Sequence, residues 1–310
     1  MLSRIADAQY WMMRYTERTS GILRILRINF ITSLDRTDDY SWKPILQVYT
    51  RLNDAEKEAM SHRGDEVLRY MISHRENPYA LRNVVAQARE NARGMQDHVT
   101  KEVWECLNGL YHKVNSNELE KAIERGEQII FLSNLADHCF LFNGVTDATM
   151  PRGEGWHYMN LGKFIERAIQ TMDMLDVRFS AIDYDLGSTT NIPYWRNLLL
   201  TLSGYEMYLK RYRGGFQGRN VADMAILNPE FPRSVMYCLH RIEQIINSLS
   251  HENVGGTPQL QKQIGRLRAK VEFVEIEQFT SAQLKGFLTE TKKDFYQLSS
   301  TLGQTYFAYQ

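Results

Sequence analysis

The chain has 310 residues with 37 basic and 37 acidic side chains, a formal net charge of zero. That length suffices for one large core or two merged halves. The balanced charge argues against a dedicated nucleic-acid binder, which usually carries a basic excess. Cys106, Cys139 and Cys238 stand singly with no CxxC spacing, so a reducing compartment and no disulfide framework are expected. The start, Met-Leu-Ser-Arg-Ile-Ala-Asp, holds no apolar signal core, and no apolar run approaches the roughly 20 residues of a membrane helix. The expectation is a soluble cytoplasmic protein that contacts neither membrane nor nucleic acid.

In chain order, residues 3–33 read as a long helix with Ile5 and Ala8 opening its apolar stripe. A polar break at 37–41 precedes a short helix at 42–52. Asp54 to Ser61 is charged and reads as loop or surface helix. A helix at about 63–74 stops before Pro78, since proline cannot continue it. From Tyr79 to Val114 the pattern is helical throughout. Residues 117–142 give a helix or a pair ending at Asn143-Gly144. A turn-rich loop follows, Asp147-Ala-Thr-Met-Pro-Arg-Gly-Glu-Gly-Trp156. Beyond it, Leu161, Ile165, Ala168, Met172, Leu175 and Phe179 recur at alternating steps of four and three, one stripe of an α-helix. Glu166 and Arg167 flank that stripe, so they need partners in a polar network. Then come a loop at 187–193, a helix from Trp195 to Arg213, a glycine-rich break at 214–218, a short helix at 221–227, and a helix from Pro232 to about Leu249. A Gly/Pro loop at 255–258 leads to helices at 259–279 and 281–303. No segment alternates like a strand. The fold class is all-α, a bundle-like assembly of more than ten helices.

The Glu-Arg helix occurs twice. Glu17-Arg18 precedes Glu166-Arg167 by 149 residues, and Leu26 and Phe30 precede Leu175 and Phe179 by the same step. The earlier stripe reads Met12, Thr16, Thr19, Leu23, Leu26 and Phe30. Trp42 aligns with Trp195 at a step of 153, and Asn77-Pro78 with Phe231-Pro232 at 154. Ordered matches with small drift predict a duplication into pseudo-symmetric halves, 1–146 and 147–310, with the two Glu-Arg helices meeting near the centre.

Common catalytic signatures are missing: there is no GxSxG, no Walker loop and no HExxH. Gly214-Gly-Phe-Gln-Gly218 follows no strand, so it reads as a helix break rather than an anion cradle. Glu154-x-x-His157 has di-iron spacing, but no second Glu-x-x-His exists, and no metal is assigned. What remains is a set of polar residues beside apolar stripes: Arg14, Glu17, Arg18, Arg89, Glu90, Asn91, Arg93, Asp147, Arg152, Glu154, Glu166, Arg167, Arg178, Glu206, Arg211 and Arg233. Arginine suits bidentate pairing with carboxylates and phosphates. These groups make either interhelical glue or a functional polar centre.

The residues also carry a family resemblance. The chain resembles the alpha-E family, all-helical bacterial proteins named for a Glu-Arg motif, over nearly its whole length. The matching stretches are Met1-Leu2-Ser3-Arg4, Arg14-Tyr-x-Glu17-Arg18, Ala88-Arg-Glu-Asn-Ala-Arg93 with Trp104-Glu, and Asp147-x-Thr-Met. They continue with Glu154-Gly-Trp156, Leu161-Gly-x-x-Ile-Glu166-Arg167, Tyr205-Glu206, Tyr212-Arg213, Phe231-Pro-Arg-Ser234 and Thr305-Tyr-Phe. Ala148, Pro151 and Gly153 depart from the family's usual glycine, leucine and aspartate, and Ser20 stands where an acid is usual.

The resemblance implies a single domain over 1–310 and a setting. Family members are tied to a circularly permuted ATP-grasp ligase and a transglutaminase-like peptidase, sometimes with a proteasome-like peptidase. One expectation is a substrate component of peptide or amide ligation, with an acidic or peptide substrate in a polar pocket between the halves. Arg18, Arg152 and Arg167 would hold carboxylates, with Arg14, Arg89, Asn91, Arg93, Asp147, Glu206 and Arg233 around them. Glu17, Glu154 and Glu166 would orient amines or act as bases. Any catalysis would be acyl transfer on an activated carboxylate, with no cofactor on this chain and ATP on the partner ligase. The other expectation is a non-catalytic helical adaptor whose Arg/Glu network is structural.

Overall fold

A computed structural model of the chain describes residues 1–35, 40–187, 192–251 and 258–307. Among these residues there are fifteen α-helices and no strand. In order they are α1 (Ser3–Asp35), α2 (Lys43–Tyr49), α3 (Asp54–Met60), α4 (Gly64–Ser73), α5 (Leu81–Arg93), α6 (Lys101–Val114), α7 (Glu118–Arg125), α8 (Gln128–Thr149), α9 (Glu154–Ser180), α10 (Ile192–Thr201), α11 (Tyr205–Arg211), α12 (Gly218–Leu227), α13 (Val235–His251), α14 (Pro258–Glu272) and α15 (Ser281–Tyr306). Single 3-10 turns lie at Gln96–His98 and Ile276–Gln278.

Both long apolar stripes are buried as the spacing requires. Leu161, Ile165, Ala168, Met172, Leu175 and Phe179 of α9 are all inside, as are Met12, Leu23, Leu26 and Phe30 of α1. Local chemistry fixes several starts. The Asn53 side chain accepts the Glu56 amide at 2.9 Å while Glu56 accepts the Asn53 amide at 2.7 Å, a capping box that makes the charged 54–61 stretch a helix. Thr280 and Gln283 form the same box at α15.

Boundaries differ from the sequence expectation at several points. The stretch 79–114 is two helices and a 3-10 turn, because α5 stops at Gly94 and the Thr100 side chain caps a new start. α8 runs through Gly144 to Thr149 and stops only where Met150 turns extended ahead of Pro151. Asp147 therefore lies on α8. α9 begins at Glu154, so Gly155 and Trp156 are helical rather than loop. The expected helix 195–213 is broken at Ser203, whose φ is +57°. A Cβ on the adjacent Gly204 would come within 2.8 Å of the Phe231 ring, so glycine lets the turn close on that ring. The 214–218 break is present, but α12 already starts at Gly218. The 259–279 helix ends at Glu272. Residues 188–191 and 252–257, in the loops expected at 187–193 and 255–258, lie outside the described residues. One membrane expectation is also corrected. Among the described helices α8, 22 residues long with a mean hydropathy of 1.2 over its most apolar 18 residues, is long and apolar enough to cross a bilayer. Its buried side packs on α6 and α7, as a core helix would.

The chain divides into two compact units, a first unit of Ala8–Met159 and a second of Met1–Asp7 with Asn160–Gln310. Within the first, α5 packs on α6 and α6 on α8; within the second, α13 packs on α14 and α14 on α15. Each unit also contains the same aromatic corner. Trp42 lies 6.5 Å from Phe30, centroid to centroid, and over Gly64; Trp195 lies 5.1 Å from Phe179 and over Gly218. Both indoles are buried. The two glycines differ in clearance. A Cβ on Gly64 would sit 3.4 Å from its indole, an ordinary contact, whereas one on Gly218 would sit 2.9 Å from Trp195. Gly218→Ala should therefore cost about 1–3 kcal/mol by overpacking, while Gly64→Ala should be neutral within about 1 kcal/mol. Denaturant unfolding of both variants checks the contrast, and equal effects would contradict it.

Candidate functional site

The Glu-Arg residues are placed by the two longest helices. In the first unit Glu17 is 2% exposed on α1, beside the apolar stripe. Burial pushes the Cys139 thiol on α8 up to about 12; the Arg24 guanidinium opposes that shift, and the Glu17 carboxylate adds to it. Glu17 thus shares its surroundings with Arg24 of its own helix and with α8. Arg14 is buried too. It donates to the Tyr10 hydroxyl at 3.2 Å, with its guanidinium 5.0 Å from the Trp11 ring centre. Arg18, half-buried, sits 5.5 Å from the Tyr15 ring.

The other candidate arginines of this unit, Arg89, Arg93 and Arg152, are also engaged. Arg89 donates through Nε to Asn108 of α6 at 2.7 Å and lies 4.6 Å from the Tyr111 ring centre and 5.5 Å from that of Trp104. The Ala88–Arg93 motif thereby binds α5 to α6. Arg93 is exposed and pairs with Glu90 one turn back at 2.5 Å. Asn91 donates to the Gln87 carbonyl at 2.8 Å. Arg152 donates to both the Asp147 carbonyl, at 2.6 Å, and its carboxylate, at 3.0 Å, and stacks 3.7 Å from the Trp156 ring centre. The turn from α8 into α9 is closed by that one side chain. Glu154 and His157 stand on the first turn of α9, half-buried. No group of three His, Cys, Asp or Glu able to hold a metal occurs among the described residues.

Sequence reasoning missed Gln9. It is 1% exposed on α1, donates to the His98 carbonyl at 3.2 Å, and lies flat on Gly155. A Cβ at position 155 would fall 2.5 Å from its amide nitrogen. The signal available was a polar residue one turn before Met12 on the buried stripe. Close approach of a buried amide to the backbone explains the glycine in Glu154-Gly155-Trp156.

In the second unit Glu166 is 3% exposed on α9. Arg167 donates to the Pro232 carbonyl at 3.1 Å with its guanidinium 5.4 Å from the Phe164 ring centre. One turn on, the Thr171 hydroxyl donates to the Arg233 carbonyl at 2.8 Å. The motif Phe231-Pro-Arg-Ser234 is therefore strapped onto the Glu-Arg helix, and the predicted residues Arg167 and Arg233 come together through the backbone of that strap. Asn228 and Ser234 complete it: the Asn228 side chain accepts the amides of Glu230 and Phe231, and the Ser234 hydroxyl donates to the Asn228 carbonyl. Further along α9, Arg178 lies 5.4 Å from the Tyr194 ring centre.

A second missed feature is Asp173. Burial pushes its carboxyl up, the Lys292 ammonium of α15, 2.9 Å away, pulls the other way, and Glu166 and Asp176 add to the rise. Glu206 stands apart, exposed in the first turn of α11, where an acid suits the helix dipole. Arg211, at the end of that helix, is exposed as well. The glycine break at 214–218 is held from within, since the Tyr208 hydroxyl donates to Gly215 at 2.9 Å and receives the Gln217 amide at 3.2 Å.

A thiol test follows from the Cys139 environment. With a pKa near 12, only about one thiol in ten thousand is thiolate at pH 8. An aromatic disulfide reagent should leave Cys139 and the fully buried Cys238 untouched in the native protein and label both after denaturation. Rapid native labelling of Cys139 would contradict the packing of α8 beside Glu17.

The Alpha-E family, described as a predicted alpha-helical domain with a conserved ER motif, matches residues 1–307. Two uncharacterized proteins, one of Mycobacterium bovis and one of Mycobacterium tuberculosis, are each 21% identical over 276 residues, covering 83% of this chain and 31% of the relative. The chain spans about a third of the length of the curated relatives it matches. No solved structure matches it.

Proposed function

This chain belongs to the Alpha-E family, and on that premise we propose that it is a helical adaptor in a bacterial system that makes or modifies peptide or amide bonds. Its partners in this reading are a circularly permuted ATP-grasp ligase and a transglutaminase-like peptidase. ATP binds to the ligase alone, the chain carries no cofactor, and the system works in the cytoplasm, a setting to which three free cysteines are suited.

One observation carries the reading. The arginines that a substrate carboxylate would need are already engaged by the protein's own groups. Arg167 is on the Pro232 carbonyl, Arg89 on Asn108 and Tyr111, Arg152 on Asp147 and Trp156, and Arg14 on Tyr10 and Trp11. Turning Arg167, Arg89 or Arg152 to a ligand breaks contacts that join separate elements, and turning Arg14 breaks contacts along its own helix. Such a network serves as glue, and an acyl-transfer role for Glu17, Glu154 and Glu166 gains no support from it.

Two further facts favour a scaffold. In the mycobacterial relatives the matching segment is only 31% of the chain, so there the domain works beside much additional polypeptide. On this chain α8 exposes Ile130, Phe140 and Leu141, at 55%, 60% and 53%, and large apolar side chains left in water on one helix are candidate protein contacts. The reading also takes 1–310 as one domain built by duplication. The paired corners of Phe30, Trp42 and Gly64, and of Phe179, Trp195 and Gly218, support it.

Co-purification tests the proposal. Tagged wild-type protein should retain a circularly permuted ATP-grasp ligase from its own cells, and Phe140→Asp with Leu141→Asp should lose the ligase while melting at the wild-type temperature, because both positions are exposed. Retention of the ligase by the double variant, or amide formation by the isolated chain, would overturn the adaptor reading.

A further inference from the structure

Away from the Glu-Arg helices, α14 and α15 enclose a groove of about 410 Å³ whose lining includes Lys262, Arg266, Leu267, Lys270 and Asp294. A volume of this order suits a small ligand or a few residues of peptide. The lining is unusual for two packed helices, since a single residue of it, Leu267, is apolar. Lys270 bonds to Asp294 at 2.8 Å and approaches Glu290 at 3.5 Å, so that end of the groove is neutralised. Lys262 and Arg266 have no ion-pair partner among the described residues. They stand one turn apart on the same face of α14, both exposed. Three glutamine amides, of Gln259, Gln263 and Gln297, complete the walls, and each can donate and accept.

From this lining we infer that the α14–α15 groove binds an extended acidic peptide segment bearing carboxylates on alternate residues. The inference goes beyond the adaptor reading and does not need it. Two arguments select a peptide over a compact anion. Phosphate oxygens accept hydrogen bonds only, whereas amide-walled grooves match peptide groups, which both donate and accept. Charge spacing gives the second. Positions four apart on a helix are about 6 Å apart along its axis. Alternate residues of an extended chain are about 6.6 Å apart and point the same way. Carboxylates on alternate residues therefore fall in register with Lys262 and Arg266. Adjacent carboxylates point to opposite sides and cannot reach both cations together.

Calorimetric titration at low salt tests the site with three named probes: an acetylated, amidated Ala-Glu-Ala-Glu-Ala peptide, its isomer with the two glutamates adjacent, and inorganic triphosphate. The alternating peptide should bind the wild-type chain most tightly. Lys262→Glu with Arg266→Glu should weaken it at least about tenfold, the loss of one or two charge-assisted contacts. Reversal of two exposed cations elsewhere, Lys101→Glu with Arg125→Glu, should leave binding within about twofold. All four positions are exposed, so melting temperatures should stay level and confirm that the variants fold. The inference is overturned by absence of binding, by equal affinity for the isomer with adjacent glutamates, by equal loss in the control variant, or by triphosphate binding more tightly through the same two cations.

Discussion

Two carboxylates set the terms for this fold. Glu17 and Glu166 sit 2% and 3% exposed on the two longest helices, next to stripes of leucine, isoleucine and phenylalanine. A buried carboxylate without partners costs several kcal/mol, and removing one partner of a buried pair costs about 3–5 kcal/mol. Neither carboxylate is isolated, and neither is Arg18 or Arg167. Adjacent residues on a helix do not face each other, so the arginine in each motif is free to reach elsewhere. Arg167 does so at the Pro232 carbonyl, and with Thr171 it fixes the turn that leads into α13. The motif is thus two neighbouring side chains with separate tasks on one helix.

The same economy recurs wherever helices meet at a turn. Arg152 closes the α8–α9 connection by holding Asp147 and stacking on Trp156. Gln9 occupies the space that a side chain at Gly155 would need. Arg89 bridges α5 to α6. Polar groups placed this way fix angles between helices that apolar packing alone would leave loosely specified.

Much of this was legible in the sequence. Period-3.6 stripes on α1 and α9 gave the fold class and the buried face, because long amphipathic patterns depend on little beyond themselves. The Phe30–Trp42 and Phe179–Trp195 matches were visible as spacing, and each pair is in contact in its own unit. Boundaries were less legible. Gly144 lies inside α8 and Gly155 inside α9, since glycine lowers helix propensity by only about 1 kcal/mol and packing overrides it. The turn at Ser203 and Gly204 closes against Phe231, 27 positions beyond Gly204, an approach that no local pattern records. Of the candidate site residues, Arg14, Arg89, Arg152 and Arg167 contact rings, carbonyls, a hydroxyl and a carboxylate of this chain. A list of charged residues beside apolar stripes cannot separate those roles. Gln9 and the Asp173–Lys292 pair escaped notice because neither is an arginine nor part of a repeated motif.

The central claim is that the Glu-Arg arginines hold the fold. Thermal unfolding of Arg167→Ala tests it most directly. Loss of a charged donor to the Pro232 carbonyl, at a half-buried position, should cost about 1–3 kcal/mol and lower the melting temperature by about 2–5 °C, with no ligand present. A melting temperature equal to wild type, together with loss of binding to an acidic ligand, would contradict the account and return Arg167 to a recognition role.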